Sequence, residues 1–322
     1  GAPAMAAEAI AGIPADRLAA CPTREAATYA KARPRARKAL ATGAGHFLGG
    51  VPMHWMADWP MPHLPLVAKA QGARIEDIDG ITLDDFCLGD TGSMFGHSPP
   101  PVAKAIRSQA RRGLTYMLPT ETALEAGRLL TDRFGPFRWQ IATTATDANR
   151  FALRVARAIT GRPKILVFNG CYHGTVDDTF VVLENGRTVN APGLLGQVND
   201  LSQTAVACEF NDLAGVEAAL AQGDVAAILT EPVMTNSCMV LPEAGFHDGL
   251  RQLSLKYGAL LIMDETHTIS SGLGGYTRVH SLRPDIFVVG KCVAGGMPTA
   301  VWGLTEETAK RYDEANARRA PG

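Results

Sequence analysis

Apolar positions along the chain change their period, and the changes mark its elements. The clearest helical pattern covers 147–159, where Ala148, Phe151, Ala152, Val155, Ala156 and Ile159 recur at i, i+3, i+4, i+7, i+8 and i+11. Such spacing puts all six on one face of a helix. Helices are also predicted over 102–112, 121–134 and 246–257. Between them stand short, continuous apolar runs at 165–168, 225–229, 259–263 and 286–289. Runs of this kind fill the buried strands of a parallel sheet. The alternation of helix and run predicts an α/β architecture from Pro101 onward.

The earlier part of the chain follows another pattern. Residues 22–42 are rich in Ala, Arg and Lys and predict a surface helix that starts at the threonine after Cys21-Pro22 and is interrupted at Pro34. Residues 43–66 mix glycine, proline and methionine with Trp55, Trp59, His46, His54 and His63, fit neither period, and read as a structured loop. The segment 74–86 alternates and turns at Asp79-Gly80, as a hairpin does, before a loop over 89–101. Gly1–Ala4 precede Met5 and read as a cloning remnant.

Charge and cysteine usage narrow the function classes. The 31 Lys and Arg nearly balance 32 Asp and Glu, which leaves no single-signed field for nucleic acid. The apolar runs fall far short of the ~20 residues that span a bilayer, so a soluble protein is expected. Cys21, Cys87, Cys171, Cys208, Cys238 and Cys292 are scattered and form no Cys-x-x-Cys pair, which points to free thiols in a reducing, cytoplasmic compartment. No metal site is expected.

Three of the apolar runs each deliver a charged residue just past their C-terminal ends: Glu231, Asp264 and Lys291. That is where parallel α/β sheets place ligands. A lysine between a buried run and the turn Gly295-Gly296 is poorly solvated; burial lowers an amine's pKa and leaves it nucleophilic. An aspartate ending the neighbouring run can pair with a protonated ring nitrogen. The loop Thr143-Thr144-Ala145-Thr146 opens the amphipathic helix, whose free N–H groups suit a phosphate. Tyr172 and His173, after the run 165–168, offer a ring for stacking and an imidazole beside it. Taken singly, each has an ordinary reading: a lysine reaching water, an aspartate capping a turn, threonines capping a helix.

The order is the informative part. A threonine-rich loop, Tyr172-His173-Gly174, Glu231-Pro232, Asp264-Glu265-Thr266-His267-Thr268, and Gly290-Lys291 followed by Gly295-Gly296-Met297-Pro298 resembles the class III aminotransferases. The likeness is greatest to the branch of glutamate-1-semialdehyde aminomutases and β-amino-acid aminotransferases, and runs from about Pro22 to the end. It implies the fold type I of pyridoxal-phosphate enzymes, with a mainly parallel sheet flanked by helices in a large domain over 76–322. Residues 1–75 would contribute to a small domain and cover the active site. It implies pyridoxal 5'-phosphate as cofactor, Lys291 as Schiff-base lysine and proton carrier, Asp264 on the pyridine nitrogen, and Tyr172 stacked on the ring. Thr144, Ala145 and Thr146 would hold the phosphate, with His173, Glu231 and His267 near the cofactor.

The sequence departs from that family pattern in places. Ala145 replaces a usual glycine; if the backbone there is left-handed, its Cβ costs roughly 1–2 kcal/mol. Asp147 replaces glutamate, and Thr266 a valine that packs beneath the ring. Similar proteins continue past Gly322 into a C-terminal small domain that is missing here. The resemblance implies an aminotransferase that moves an amino group between an amine or amino acid and a keto acceptor, as a homodimer. An aminomutase or racemase, or a non-catalytic protein of the same fold, are the alternatives. No arginine lies over 41–73 to clamp a carboxylate, while Met53, Trp55, Met56 and Trp59 either line an apolar pocket or anchor their loop.

Overall fold

The computed structural model describes residues 12–320, so the expectation for Gly1–Ala4 lies outside the described residues. The chain divides into two compact units: residues up to Cys87 with Gly96–Pro99, and Leu88–Phe95 with the chain from Pro100 on.

In the first unit, helix α1 (Ala15–Ala32) begins seven residues before Pro22, with Asp16 complementing the dipole of its first turn. The helix start expected after Cys21-Pro22 is therefore corrected: Pro22 lies inside α1. Pro34 does interrupt, because the residue before a proline is pushed out of the helical region. Arg33, at φ −124°, breaks the run, and Pro34 opens α2 (Pro34–Gly43). Short 3₁₀ turns occupy much of 44–58, where Met53 and Trp55, with Trp59 just beyond, remain about half-exposed.

Strands β1 (Val67–Gln71), β2 (Arg74–Asp77) and β3 (Thr82–Asp84) form an antiparallel sheet whose β2–β3 turn contains Asp79-Gly80. That turn also does capping work: Asp79 accepts the backbone N–H groups of Arg35 and Ala36, which the start of α2 leaves unbonded. Buried Arg33 donates to buried Asp77 at 2.9 Å beside it.

The second unit opens with α3 (Pro100–Ala110) and α4 (Glu121–Phe134), followed by β4 (Arg138–Ala142), α5 (Ala145–Thr160) and β5 (Lys164–Phe168). A hairpin of β6 (Val181–Glu184) and β7 (Arg187–Asn190), turning at Asn185-Gly186, leads to β8 (Ala205–Cys208). Then come α6 (Leu213–Leu220), β9 (Val225–Thr230), α7 (Phe246–Tyr257), β10 (Leu260–Asp264) and α8 (Gly275–Val279). The last elements are β11 (Ile286–Val289), β12 (Ala300–Leu304) and α9 (Glu306–Ala317).

Seven strands form the central sheet in the order β4-β12-β11-β10-β9-β5-β8. Only β12 runs against its neighbours; the other paired strands are parallel. Side chains alternate between faces with period two. Ile165, Val167, Leu260 and Ile262 pack in one cluster with Leu153 of α5, and Leu166, Phe168, Leu261 and Met263 pack in another with Val216 of α6 and Leu250 of α7. Helices thus cover both faces, and the C-terminal ends of the parallel strands stay open for a site.

Candidate active site

Strand β10 pairs in parallel with both β9 and β11, so Glu231, Asp264 and Lys291 leave the same edge of the sheet from three neighbouring strands. The register aligns Asp264 with Val288, and Glu265 N–H bonds the Val288 carbonyl, which locks the exit of β10 against β11.

Asp264 is 4% exposed, and both oxygens of its carboxylate are hydrogen-bonded. Oδ2 accepts from Asn149 Nδ2 at 3.0 Å and lies 2.9 Å from His173 Nδ1; Oδ1 accepts from Thr266 N–H at 3.1 Å and Thr266 Oγ1 at 2.7 Å. Burial pushes the Asp264 carboxyl up, but the hydrogen bond and charge of His173 outweigh it and hold Asp264 ionised, well below its ordinary value. The fully buried His173 ring is in turn held protonated: burial works against the charge, and the bond to Asp264 prevails. The two form a buried ion pair.

Around that pair, His173 Nε2, Asn149 Oδ1 and Glu231 Oε1 are buried without a hydrogen-bond partner among the described residues. Glu231 Oε2 accepts from Thr235 Oγ1 at 2.6 Å, and burial raises its carboxyl to about 7.

Lys291 follows β11 in a left-handed backbone conformation at φ +50°. Its Nζ lies 2.8 Å from His267 Nε2 and donates to Asp90 Oδ2. Burial, then the Lys291 charge, lower the pKa of His267, so its ring is neutral and Nε2 accepts from the ammonium. That tautomer leaves the proton on Nδ1, which donates to Thr91 Oγ1 at 3.2 Å. His267 thereby joins Lys291 to the loop Leu88–Phe95, where Leu88, Asp90 and Thr91 all have positive φ.

The third component is the start of α5. Thr144 is its N-cap and accepts from Asp147 N–H, while Thr146 Oγ1 accepts from Thr175 N–H. Ala145 and Thr146 open the helix, so their backbone N–H groups have no partner within it and can serve an anion. The penalty foreseen for Ala145 does not arise: it is the first residue of the helix and its φ is not positive. Its methyl group instead meets Gly290, where an added Cβ would lie 2.8 Å from the Ala145 Cβ. Tyr172, beyond β5, is 45% exposed.

Asn149, Asp90 and Thr91 were not foreseen. Asn149 carried a signal, as a polar residue within the buried face of α5; Asp90 and Thr91 carried little beyond a place between Gly89 and Gly92. A cavity of about 550 Å³ on the flank of α5, lined by Arg150, Arg154, Asp177 and Asp200 among others, contains neither Lys291 nor Asp264.

A primary amine, a buried ionised carboxylate and a helix start with unused N–H donors define a class, the enzymes that bind a phosphorylated pyridine aldehyde. The family comparison agrees. The model of the aminotransferase class-III family matches residues 56–317, and the chain belongs to that family. Its cofactor is pyridoxal 5'-phosphate. Among curated relatives, the glutamate-1-semialdehyde 2,1-aminomutase of Desulfitobacterium hafniense is 36% identical over 275 residues, 84% of this chain and 64% of its own length. A solved glutamate-1-semialdehyde-aminomutase from Pseudomonas aeruginosa PAO1 has 50% identity and a TM-score of 0.91, over 95% of this chain and 68% of that one. An omega-transaminase from Sphaerobacter thermophilus has 30% identity and a TM-score of 0.82, over 89% and 68%. The chain spans less than two thirds of the length of the first curated relatives it matches. No described helix is long and apolar enough to cross a membrane.

Proposed function

We propose that this chain is the cofactor-binding part of an enzyme that moves an amino group within one substrate, as an aminomutase does. The observation that carries the reading is the placement of Lys291 Nζ, held by Asp90 and His267, beside the strand that ends in ionised Asp264. Pyridoxal phosphate, when bound, supplies an aldehyde that takes up amines covalently and a ring that draws electrons from the attached carbon. Lys291 provides the amine that anchors it and moves protons at Nζ. Asp264 would hold positive charge at the ring nitrogen, and His173, Asn149 and Thr266 keep that carboxylate ionised and in place. The N–H groups of Ala145 and Thr146, with the hydroxyls of Thr144 and Thr146, would receive the phosphate. Tyr172 would offer its exposed ring for stacking, and Glu231 lies near enough to His173 to feel its charge.

Internal transfer is supported by the aminomutase name of the relatives at 36% and 50% identity. Transfer to a separate keto acceptor, the aminotransferase reading, is supported by the likeness to an omega-transaminase. The presence of both Lys291 and Asp264 stands against a non-catalytic role. The deciding experiment follows the position of the amino group in glutamate-1-semialdehyde with and without an added 2-keto acid. Product formed only with the keto acid overturns internal transfer. Equal visible absorbance of wild type and Lys291→Ala, after cofactor loading and borohydride treatment, overturns the covalent role of Lys291.

We further read the enzyme as a cytoplasmic homodimer. Exposed Leu114, Met117, Leu118 and Leu124 in the second unit support a covered apolar face, and all six cysteines are free. Sedimentation at micromolar concentration tests the dimer.

A further inference from the structure

Glu231 is a buried carboxyl group with no part of its own in the reaction described above. Leu229 of β9 and Ile262 of β10 lie in one cluster with Leu153 of α5, and Thr230 pairs with Met263. Side chains alternate with period two, so Glu231 and Asp264 leave neighbouring strands on the same face, toward α5. Paired strands lie only about 4.8 Å apart. The cation that serves this pair of buried carboxyl groups is His173, bonded to Asp264 through Nδ1.

The free hydrogen-bonding positions match. His173 Nε2, a donor when the ring is protonated, and Glu231 Oε1, an acceptor, are both buried without a partner among the described residues. Each group is otherwise held in place: Thr235 Oγ1 donates to Glu231 Oε2 at 2.6 Å, and Asn149 Nδ2 donates to the His173 carbonyl at 3.1 Å. Buried polar atoms are costly unless bonded, and one water between a donor and an acceptor satisfies both.

Burial raises the Glu231 carboxyl to about 7, against the bond from Thr235 and the charge of His173, while Asp264 adds to the rise. Burial opposes the charge on His173, and the bonds to Asp264 and to the Cys171 thiol sustain it. Asn149 of α5 and Thr235 are neutral, so among the described residues the charges that act on Glu231 are those of His173 and Asp264.

We infer that Glu231 is a positioning residue: it partners the second ring nitrogen of His173 and so sets, through His173, the charge that Asp264 presents to the cofactor ring. Below a pH of about 7 Glu231 is neutral and His173 offsets Asp264 alone. Above it Glu231 is ionised, His173 is shared between two carboxylates, and Asp264 holds a proton at the ring nitrogen more firmly. The effect on the ring rests on the cofactor reading above; the link to His173 does not.

The test is nitrogen NMR of the apo-protein labelled in histidine, with the His173 signals assigned by their loss in His173→Gln. In wild type the Nε2 signal moves in one step with a midpoint at pH about 7. Glu231→Gln, which keeps an acceptor but cannot ionise, abolishes the step. Glu231→Leu, which removes the acceptor, displaces the Nε2 signal even well below the midpoint, where all three side chains are uncharged. In enzyme loaded with cofactor labelled at the ring nitrogen, that nitrogen shows the same midpoint in wild type and loses it in Glu231→Gln. A flat His173 signal in wild type, a step that persists in Glu231→Gln, an Nε2 signal indifferent to Glu231→Leu, or a ring nitrogen without the step overturns the inference. Failure of the cofactor reading shows separately, as a wild-type protein with no Lys291-dependent visible absorbance.

Discussion

Gly290 and Ala145 share one van der Waals space: a methyl group on Gly290 would stand 2.8 Å from the Cβ of Ala145. The residue before Lys291 is therefore fitted to the first residue of α5, the helix proposed to receive the phosphate. Gly290→Ala overfills this contact and should cost about 1–3 kcal/mol, with weaker cofactor binding. Ala145→Gly in the same protein should recover most of the loss. Urea denaturation of both single variants and the double variant measures the coupling, and additive losses would show that the two positions do not touch.

His173→Gln leaves Asp264 ionised and buried without its counter-charge. Breaking a buried pair from one side costs about 3–5 kcal/mol. Equilibrium unfolding of the apo-protein reads this directly, and a loss under about 1 kcal/mol would mean the pair is not ionic.

Thr266→Val is nearly isosteric but removes the 2.7 Å hydroxyl bond to Asp264 Oδ1. A hydrogen bond to a charged group is worth about 1.5–3 kcal/mol. The variant should lose about that much, whereas Thr266→Ser, which keeps the hydroxyl, should lose less. Thermal unfolding separates them.

Glu231 gives a pH dependence of defined sign. Burial raises its carboxyl from 4.5 to about 7 in the folded protein. Between those values the unfolded chain releases a proton that the folded protein keeps. The Glu231 contribution is thus fully present below pH 4.5 and is lost as pH rises through about 7. The loss amounts to at most about 3 kcal/mol. Glu231→Gln removes it, so the stability of the variant relative to wild type should climb across this window and then level off. Urea midpoints measured from pH 5 to pH 8 check the trend.

The sheet edge was legible in the sequence because buried strands announce themselves as short apolar runs, and the charged residue that ends each run stands out. Helix α5 was legible for the matching reason, a full apolar face. Strand β12 was not, since Gly303 breaks its pattern; there an added Cβ would collide with Phe137 and Trp139. Strand β4 was hidden by its edge position, where Arg138, Gln140 and Ile141 are exposed. Asp90 was invisible for another reason. Its contact with Lys291 depends on consecutive left-handed residues in a loop, and no propensity pattern encodes where such a loop points.

Strand β12 also bears on how the protein is made. It pairs with β11, which leads into Lys291, and with β4, which leads into the start of α5, so it joins the two sides of the site. It is the last strand described in the chain, and its partner β4 is synthesised long before it. During translation the inner edge of β4 therefore stays unpaired until residues 300–304 emerge. Such long-range pairing slows folding and exposes unpaired edges meanwhile.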